Sequence, residues 1–394
     1  MSLHSVGLRV ATPRTKVLVI FGTRPEAIKL APVIAALNRR RRCKVVSVFT
    51  GQHAHLADSA RALFELTPDH ELGVMTPNQP LSILCGRLLE KLDPLLMREA
   101  PDMALVQGDT TSALAGALAG FHRRIPVAHV EAGLRTNDSA NPFPEEANRQ
   151  LITRLAAYHL AATPANMRNL LREGVPPERI ELTGNPIVDA LHRTLRRAGH
   201  AEDLAALLDG HSHRRLIVLT THRRESFGSR MRANLRVVRS HVDRHDGLFL
   251  LFPVHPNPAV AAAAAETLGG HPRIRMVEPL GYALFVHLLA RAWLIISDSG
   301  GLQEEAPTLR RPLIVLRETT ERPEAVECGV ARLSDGCPLR LRSLLEEAEL
   351  EGEWFKRVAA CENPFGKGDS GERIADALLR FHASQSNLVP VGAA

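Results

Sequence analysis

Short β-branched and apolar runs alternate along the chain with longer stretches in which apolar positions recur at helical spacing. That is the pattern of parallel strands joined by crossover helices, an α/β fold. In the first half the runs predict strands at residues 16–21, 45–49, 103–107 and 125–130, each separated from the next by enough chain for a crossover helix. The rhythm restarts at residues 216–219 and continues through 248–252, 274–277, 293–297 and 313–316, which predicts a second sheet. Between the halves lie Gly184-Asn185-Pro186 and a polar stretch at 193–215 without a strand candidate. The expected division is an extension at 1–15, a first domain at 16–185 and a second at 186–371. A length of 394 residues agrees, being more than one hydrophobic core usually organises.

Composition narrows the function classes. The chain is 45% apolar and 23% charged, ordinary for a globular protein, and its apolar runs are far shorter than a spanning helix, so no membrane segment is expected. No export signal is visible, since residues 17–21 lead straight into Gly22-Thr23-Arg24. An excess of 49 Lys and Arg over 43 Asp and Glu, net +6, suits an acidic small molecule. Two Trp and two Tyr without interleaved basic blocks leave nucleic acid without a stacking surface. The cysteines Cys43, Cys85, Cys328, Cys337 and Cys361 form no Cys-x-x-Cys and read as reduced thiols. The pairs His53/His55 and His211/His213 lack any metal-site context, and no Gly-x-Ser-x-Gly elbow is present, so neither a metal nor a serine nucleophile is expected.

In open α/β sheets ligands sit beyond the carboxyl ends of the strands. After the first strand, Gly22 permits a turn, Pro25 starts a helix, and Arg24 and Lys29 are placed either to grip an anion or to lie solvated on a helix. After the third comes Asp109, which reads either as a helix N-cap or as an acid at the sheet rim. Glu131 follows an apolar run, a costly place for a charge without a partner. Glu145 and Arg149, four apart, share a helix face, and three acids near one cleft can tune one another for proton transfer. In the second half His222, Arg223 and Arg224 follow a strand, and Ser299-Gly300-Gly301 reads either as a plain strand-to-helix turn with a capping Ser or Asp or as a turn that lets a phosphate approach backbone N–H groups, with Glu305 one turn on to accept from ribose hydroxyls. Arg24-Pro25-Glu26-Ala27 recurs as Arg322-Pro323-Glu324-Ala325, either by coincidence or because both loops present an Arg to one anion.

Taken together, these blocks, with Pro253-Val254-His255-Pro256-Asn257-Pro258, closely resemble the non-hydrolysing UDP-N-acetylglucosamine 2-epimerases of bacteria, in the same order and over residues 16–374. The resemblance implies two Rossmann-like domains facing across a cleft (glycosyltransferase B type), with the C-terminal helix, 372–394, completing the first. It implies a cytoplasmic homodimer without metal or nicotinamide cofactor. The reaction would remove the C2 proton and expel UDP to give 2-acetamidoglucal, then add UDP back with a proton delivered to the opposite face. Asp109, Glu131, Glu145, Lys29 and His222 match the catalytic positions. Arg24, Lys29, Arg149, His222, Leu280, Phe285, Ser299, Gly300, Gly301, Glu305 and Arg322 match substrate or UDP contacts. Leu280 stands where relatives can have Gln, and Gln52-His53-Ala54-His55 departs from the Gln-His-x-Gln stretch with which relatives bind an activating second UDP-sugar. Competing expectations are an epimerase of another UDP-2-acetamido sugar, a UDP-sugar glycosyltransferase and a hydrolysing epimerase.

Overall fold

The computed structural model describes residues 14–52, 54–197, 199–221 and 228–386. The strands β1 (Thr15–Phe21), β2 (Cys43–Phe49), β3 (His70–Glu71), β4 (Met103–Gln107), β5 (Val127–Ala132), β6 (Tyr158–Ala161) and β7 (Ile180–Leu182) form a parallel seven-stranded sheet ordered β3-β2-β1-β4-β5-β6-β7. A second parallel sheet holds β8 (Arg215–Thr220), β9 (Leu248–Pro253), β10 (Ile274–Val277), β11 (Leu294–Ser297), β12 (Leu313–Val315) and β13 (Ala331–Leu333) in the order β10-β9-β8-β11-β12-β13. Both are doubly wound, with strand order reversing between β1 and β4 and again between β8 and β11.

Helices cover both faces of each sheet, which is why the central strands read as unbroken apolar runs. Val17 to Phe21 and Leu294 to Ile296 have no exposed surface. Each predicted strand is present within a few residues. β5 begins at Val127, after Pro126, which has no N–H to donate, and continues past the expected end through Glu131 to Ala132 across a register shift. The short strands β3, β6, β7 and β13, two to four residues each, were not predicted. Among the described residues no helix is long and apolar enough to cross a membrane.

The chain passes between the lobes at residues 183–186 and again near 365–371, and the two passages lie side by side. Asn185 N–H donates to the Phe365 carbonyl at 2.6 Å, and the Asp189 carboxylate accepts from the N–H groups of Ser370 and Gly371 at 3.2 and 2.9 Å. The final helix, Ser370–Ser386, then packs on the first lobe. Phe381 stacks on Tyr158 with ring centroids 4.4 Å apart, and Arg40 pairs with Asp376 at 2.7 Å and with Glu372. Gly371 makes this approach to the helix Arg24–Asn38 feasible, because a Cβ there would lie 2.8 Å from the Pro32 carbonyl oxygen. Gly371→Ala should therefore cost about 1–3 kcal/mol in urea unfolding, the usual range for overpacking. Unchanged stability would mean that this contact is loose.

Candidate active site

The reversals in strand order open a crevice at the carboxyl end of each sheet, and the polar segments after β1, β4 and β11 emerge there. Beyond β1, Glu26 closes the turn: its carboxylate accepts from the N–H groups of Gly22 at 3.0 Å and Thr23 at 2.7 Å and from the Thr110 hydroxyl at 2.8 Å. Burial pushes this carboxyl up to about 7, against those hydrogen bonds. Beyond β4 the two readings of Asp109 separate. The helix is Thr111–His122, and its cap is Thr110, whose hydroxyl accepts from Ala113 N–H at 3.0 Å. Asp109 is left for the cleft, where 28% of its side chain is exposed and Arg149 Nε lies 3.3 Å away. Desolvation raises its carboxyl to about 6; Arg149 opposes the shift, and the neighbouring charges of Glu131 and Glu145 add to it. His129, buried in β5, donates from Nε2 to the Gly108 carbonyl at 2.7 Å and so braces the turn that presents Asp109. Burial depresses that imidazole to about 4 and keeps it neutral.

Glu131 lies within β5 at the register shift, with φ of +66°, a left-handed conformation that a non-glycine residue adopts at a cost of about 1–3 kcal/mol. The strain turns its carboxylate into a dense set of donors. Lys29 Nζ is 2.5 Å from Oε1 and Asn185 Nδ2 is 2.9 Å from it, while Gln107 donates to Oε2. Glu145 opens the helix Glu145–Leu155, half-buried, and Arg149 lies one turn further with its Nη1 buried and without a hydrogen-bond partner.

The second lobe adds Glu304 and Arg322 to this cluster. Lys29 Nζ reaches Glu304 Oε2 at 3.1 Å, Arg322 Nε meets Glu304 Oε1 at 2.6 Å, and Arg322 Nη2 comes within 3.8 Å of Glu131. Two cations and two carboxylates thus form an alternating square across the cleft, each side chain under 10% exposed. Burial alone would depress Lys29, but Glu131 and Glu304 more than offset it and raise its pKa. Burial alone would raise Glu131, but Lys29 and Arg322 hold it well below the usual carboxylate range. Burial raises Glu304, with Glu131 beside it adding to the shift.

The second lobe and the first helix also carry several more of the residues singled out from the sequence. Ser299 precedes the helix Gly300–Leu309 and makes no side-chain cap, so its hydroxyl is not committed to the helix end. Gly300 is needed for the approach of Arg322, since a Cβ there would fall 2.6 Å from Nη1. Gly301 follows in the first turn. Glu305 accepts from the Tyr282 hydroxyl at 2.8 Å, and burial pushes it up to about 7. Arg24 is half-buried in the first lobe yet near enough to Tyr282 and Glu305 of the second to lower both. Arg24 and Arg322, from the repeated Arg-Pro-Glu-Ala, therefore approach the same ends of the helix Gly300–Leu309 from opposite lobes. Leu280 and Phe285 are half-buried, in the segment after β10 and in the first turns of the helix Tyr282–Arg291.

His222 lies outside the described residues, as do His53 and the neighbouring His55 side chain. His211 stacks on Phe249 at 4.2 Å. The sequence reading missed Gln107, Asn185, Tyr282 and Glu304, which sit beside residues it did single out. It also missed His241, His245 and Glu349, whose ligating atoms lie within 4.8 Å of one another on the second lobe. There Glu349 is already engaged by Arg215 at 2.6 Å and by His241 at 3.1 Å.

Two facing Rossmann-like lobes with charged loops meeting between them define a glycosyltransferase B type fold. A family model described as UDP-N-acetylglucosamine 2-epimerase matches residues 35–379. The chain is 41% identical over 374 residues to the UDP-N-acetylglucosamine 2-epimerase of Salmonella typhimurium, covering 94% of this chain and all of the relative. The enzyme of that name from Bacillus subtilis is 39% identical, with 94% of this chain and 96% of the relative covered. Among solved structures, the UDP-GlcNAc 2-epimerase of Neisseria meningitidis bound to UDP-GlcNAc superposes with a TM-score of 0.88 at 36% identity, over 93% of this chain and 100% of that one. The enzyme of Methanocaldococcus jannaschii, in complex with UDP-GlcNAc and UDP, gives 0.80 at 35% identity, again over 93% and 100%. The chain belongs to the UDP-N-acetylglucosamine 2-epimerase family.

Removing one charge from the buried square leaves another without its counterion. Lys29→Met should destabilise the protein by about 3–5 kcal/mol near neutral pH. The loss should shrink from about pH 8 to about pH 5, because Glu304, no longer facing the ammonium, takes up a proton as the pH falls. Urea unfolding at both pH values checks this, and a pH-independent loss would mean that the acids are not left uncompensated.

Proposed function

We propose that the protein interconverts UDP-N-acetylglucosamine and UDP-N-acetylmannosamine without hydrolysing them. The convergence of Asp109, Glu131 and Glu145 with Lys29 and Arg322 in one buried cleft carries this reading. Inversion at C2 needs a base on one face of the sugar and an acid on the other, and the C1–O bond breaks more easily where positive charge meets the departing diphosphate. The electrons of the C2–H bond become the C1=C2 double bond as the C1–O pair leaves with UDP, giving 2-acetamidoglucal. Re-addition of UDP at C1 with protonation of C2 from the other face completes the epimerisation. In this scheme the three carboxylates move the C2 proton, with the face served by each left open, and Arg149 supports Asp109. Lys29, Arg24, Arg322 and His222 take the diphosphate. Ser299, Gly300 and Gly301 hold the phosphates, Glu305 the ribose, and Phe285 and Leu280 the uracil side. At Leu280 only the backbone can replace the polar contact that a Gln supplies.

A glycosyltransferase would use the same phosphate turn but has no need of three acids beside the sugar. We further propose that the protein works as a cytoplasmic homodimer. Ile83 and Met97, which share a face of the helix Leu81–Glu99, and Phe121 on the neighbouring helix Thr111–His122 are 48–62% exposed, apolar side chains that a second copy would cover.

In deuterated water with UDP-N-acetylglucosamine and no acceptor, deuterium should enter C2 of recovered UDP-sugar. Unlabelled, intact substrate would refute epimerisation, and free UDP accumulating with N-acetylmannosamine would indicate hydrolysis. Asp109→Asn, Glu131→Gln and Glu145→Gln should each lower kcat by about 100-fold or more, the usual scale of general acid–base catalysis, while UDP still binds. Near-normal rates in all three would remove the carboxylates from the chemistry. Because burial holds Asp109 up at about 6, its ionised form is lost as the pH falls through that value. With Asp109 as the base that takes the C2 proton, the kcat/KM of the wild type should fall there too, and the residual activity of Asp109→Asn should lack that limb; a rise in kcat/KM through the same pH would assign it the acid's role instead.

A further inference from the structure

We propose that Glu304 is a positioning residue that holds the place of the substrate's diphosphate: it bridges Lys29 of the first lobe and Arg322 of the second until the diphosphate takes over both cations. This rests on the assignment of Lys29 and Arg322 to the diphosphate made above.

The helix Gly300–Leu309 carries two consecutive acids, and successive helical residues point about 100° apart. Glu305 turns to Tyr282. Glu304 turns across the cleft, with Oε1 2.6 Å from Arg322 Nε and Oε2 3.1 Å from Lys29 Nζ. Its backbone carbonyl accepts from Asn363 Nδ2 at 3.0 Å, so the main chain beneath it is fixed while the side chain supplies the contact. Only 1% of that side chain is exposed, and a buried carboxylate is stable there only while cations face it.

The two acids of the square are held unequally. Glu131 has Lys29, Asn185 and Gln107 hydrogen-bonded to it. Glu304 has a single cationic donor hydrogen-bonded to it, Arg322 Nε on Oε1; it faces Lys29 as an ion pair at 3.1 Å, and its carboxyl also meets that of Glu131. An incoming diphosphate brings more negative charge than the two cations can neutralise beside both carboxylates, so the less anchored one gives way. Glu321 keeps Arg322 in place during the exchange through Nη1, and Arg317 in turn fixes Glu321 at 2.6 Å. The raised pKa of Glu304 eases its displacement, since protonation discharges it once the cations are taken.

Glu304 therefore competes with the diphosphate in binding and, by retaking Lys29 and Arg322, speeds its release, so removing the carboxylate should tighten binding and slow turnover through one and the same exchange. In Glu304→Gln, UDP should bind about tenfold more tightly, uridine should bind as in the wild type, and kcat should fall about tenfold or more. Glu304→Asp, which keeps the charge on a shorter arm, should show a smaller gain in UDP affinity and a smaller loss of kcat, and it serves if the Gln variant does not fold. Isothermal calorimetry with UDP and with uridine, alongside steady-state epimerisation, reads all of these. Weaker binding of both UDP and uridine would assign Glu304 a merely structural role, and unchanged UDP affinity would show that it does not compete; either overturns the proposal. Deuterium entry at C2 in the wild type is measured in parallel. If it occurs while Glu304→Gln behaves like the wild type, only this proposal falls, whereas its absence removes the epimerase reading itself.

Discussion

Four charges buried between two lobes impose the tightest constraint on this molecule. Lys29, Glu131, Glu304 and Arg322 are each almost fully excluded from water, and any one without its neighbours would cost several kcal/mol. They are tolerated because signs alternate and because each lobe contributes one acid and one base. Opening the cleft breaks the square, so the position of one lobe relative to the other is tied to the ionic state of the cleft. A strained Glu131 backbone fits this arrangement, for the left-handed bulge in β5 aims the carboxylate into the square instead of leaving it along the strand.

The doubly wound sheets explain why these residues meet. Each reversal of strand order leaves a gap at the carboxyl end of its sheet, and helices starting at Arg24, Thr111 and Gly300 open onto these gaps. The lobes are joined by two adjacent crossings, and Asn185 belongs to one of them while donating to Glu131. The joint and the acid are thus in direct contact, which couples the geometry of the site to that of the crossing.

Much of this was legible from the residues alone. Long β-branched runs mark buried parallel strands, and the residues at or just beyond their expected ends include Arg24, Lys29, Asp109, Glu131, Ser299 and Arg322, which lie at the carboxyl ends of the two sheets. Edge strands such as His70–Glu71 were not legible, because two residues hold no periodicity and pair only where a neighbour is already in place. Asp109 and Thr110 are both common helix caps, and only the observed helix start at Thr111 shows that Thr110 takes the role. Glu304 was passed over for Glu305 because sequence spacing cannot tell which of two adjacent helical acids faces another domain. Gln107 and Asn185 matter through pairing with Glu131 across 24 and 54 residues of chain, which no local pattern records.

The most direct measurement is a crystal structure of the protein with UDP and a UDP-N-acetylhexosamine. The account predicts the diphosphate between Lys29 and Arg322, Glu304 withdrawn from both, and C2 of the sugar flanked by the carboxylates of Asp109, Glu131 and Glu145 at about 2.6–3.2 Å from the hydrogen-bonding atoms they serve. A nucleotide bound away from Lys29 and Arg322, with the four-charge square intact beside it, would contradict it.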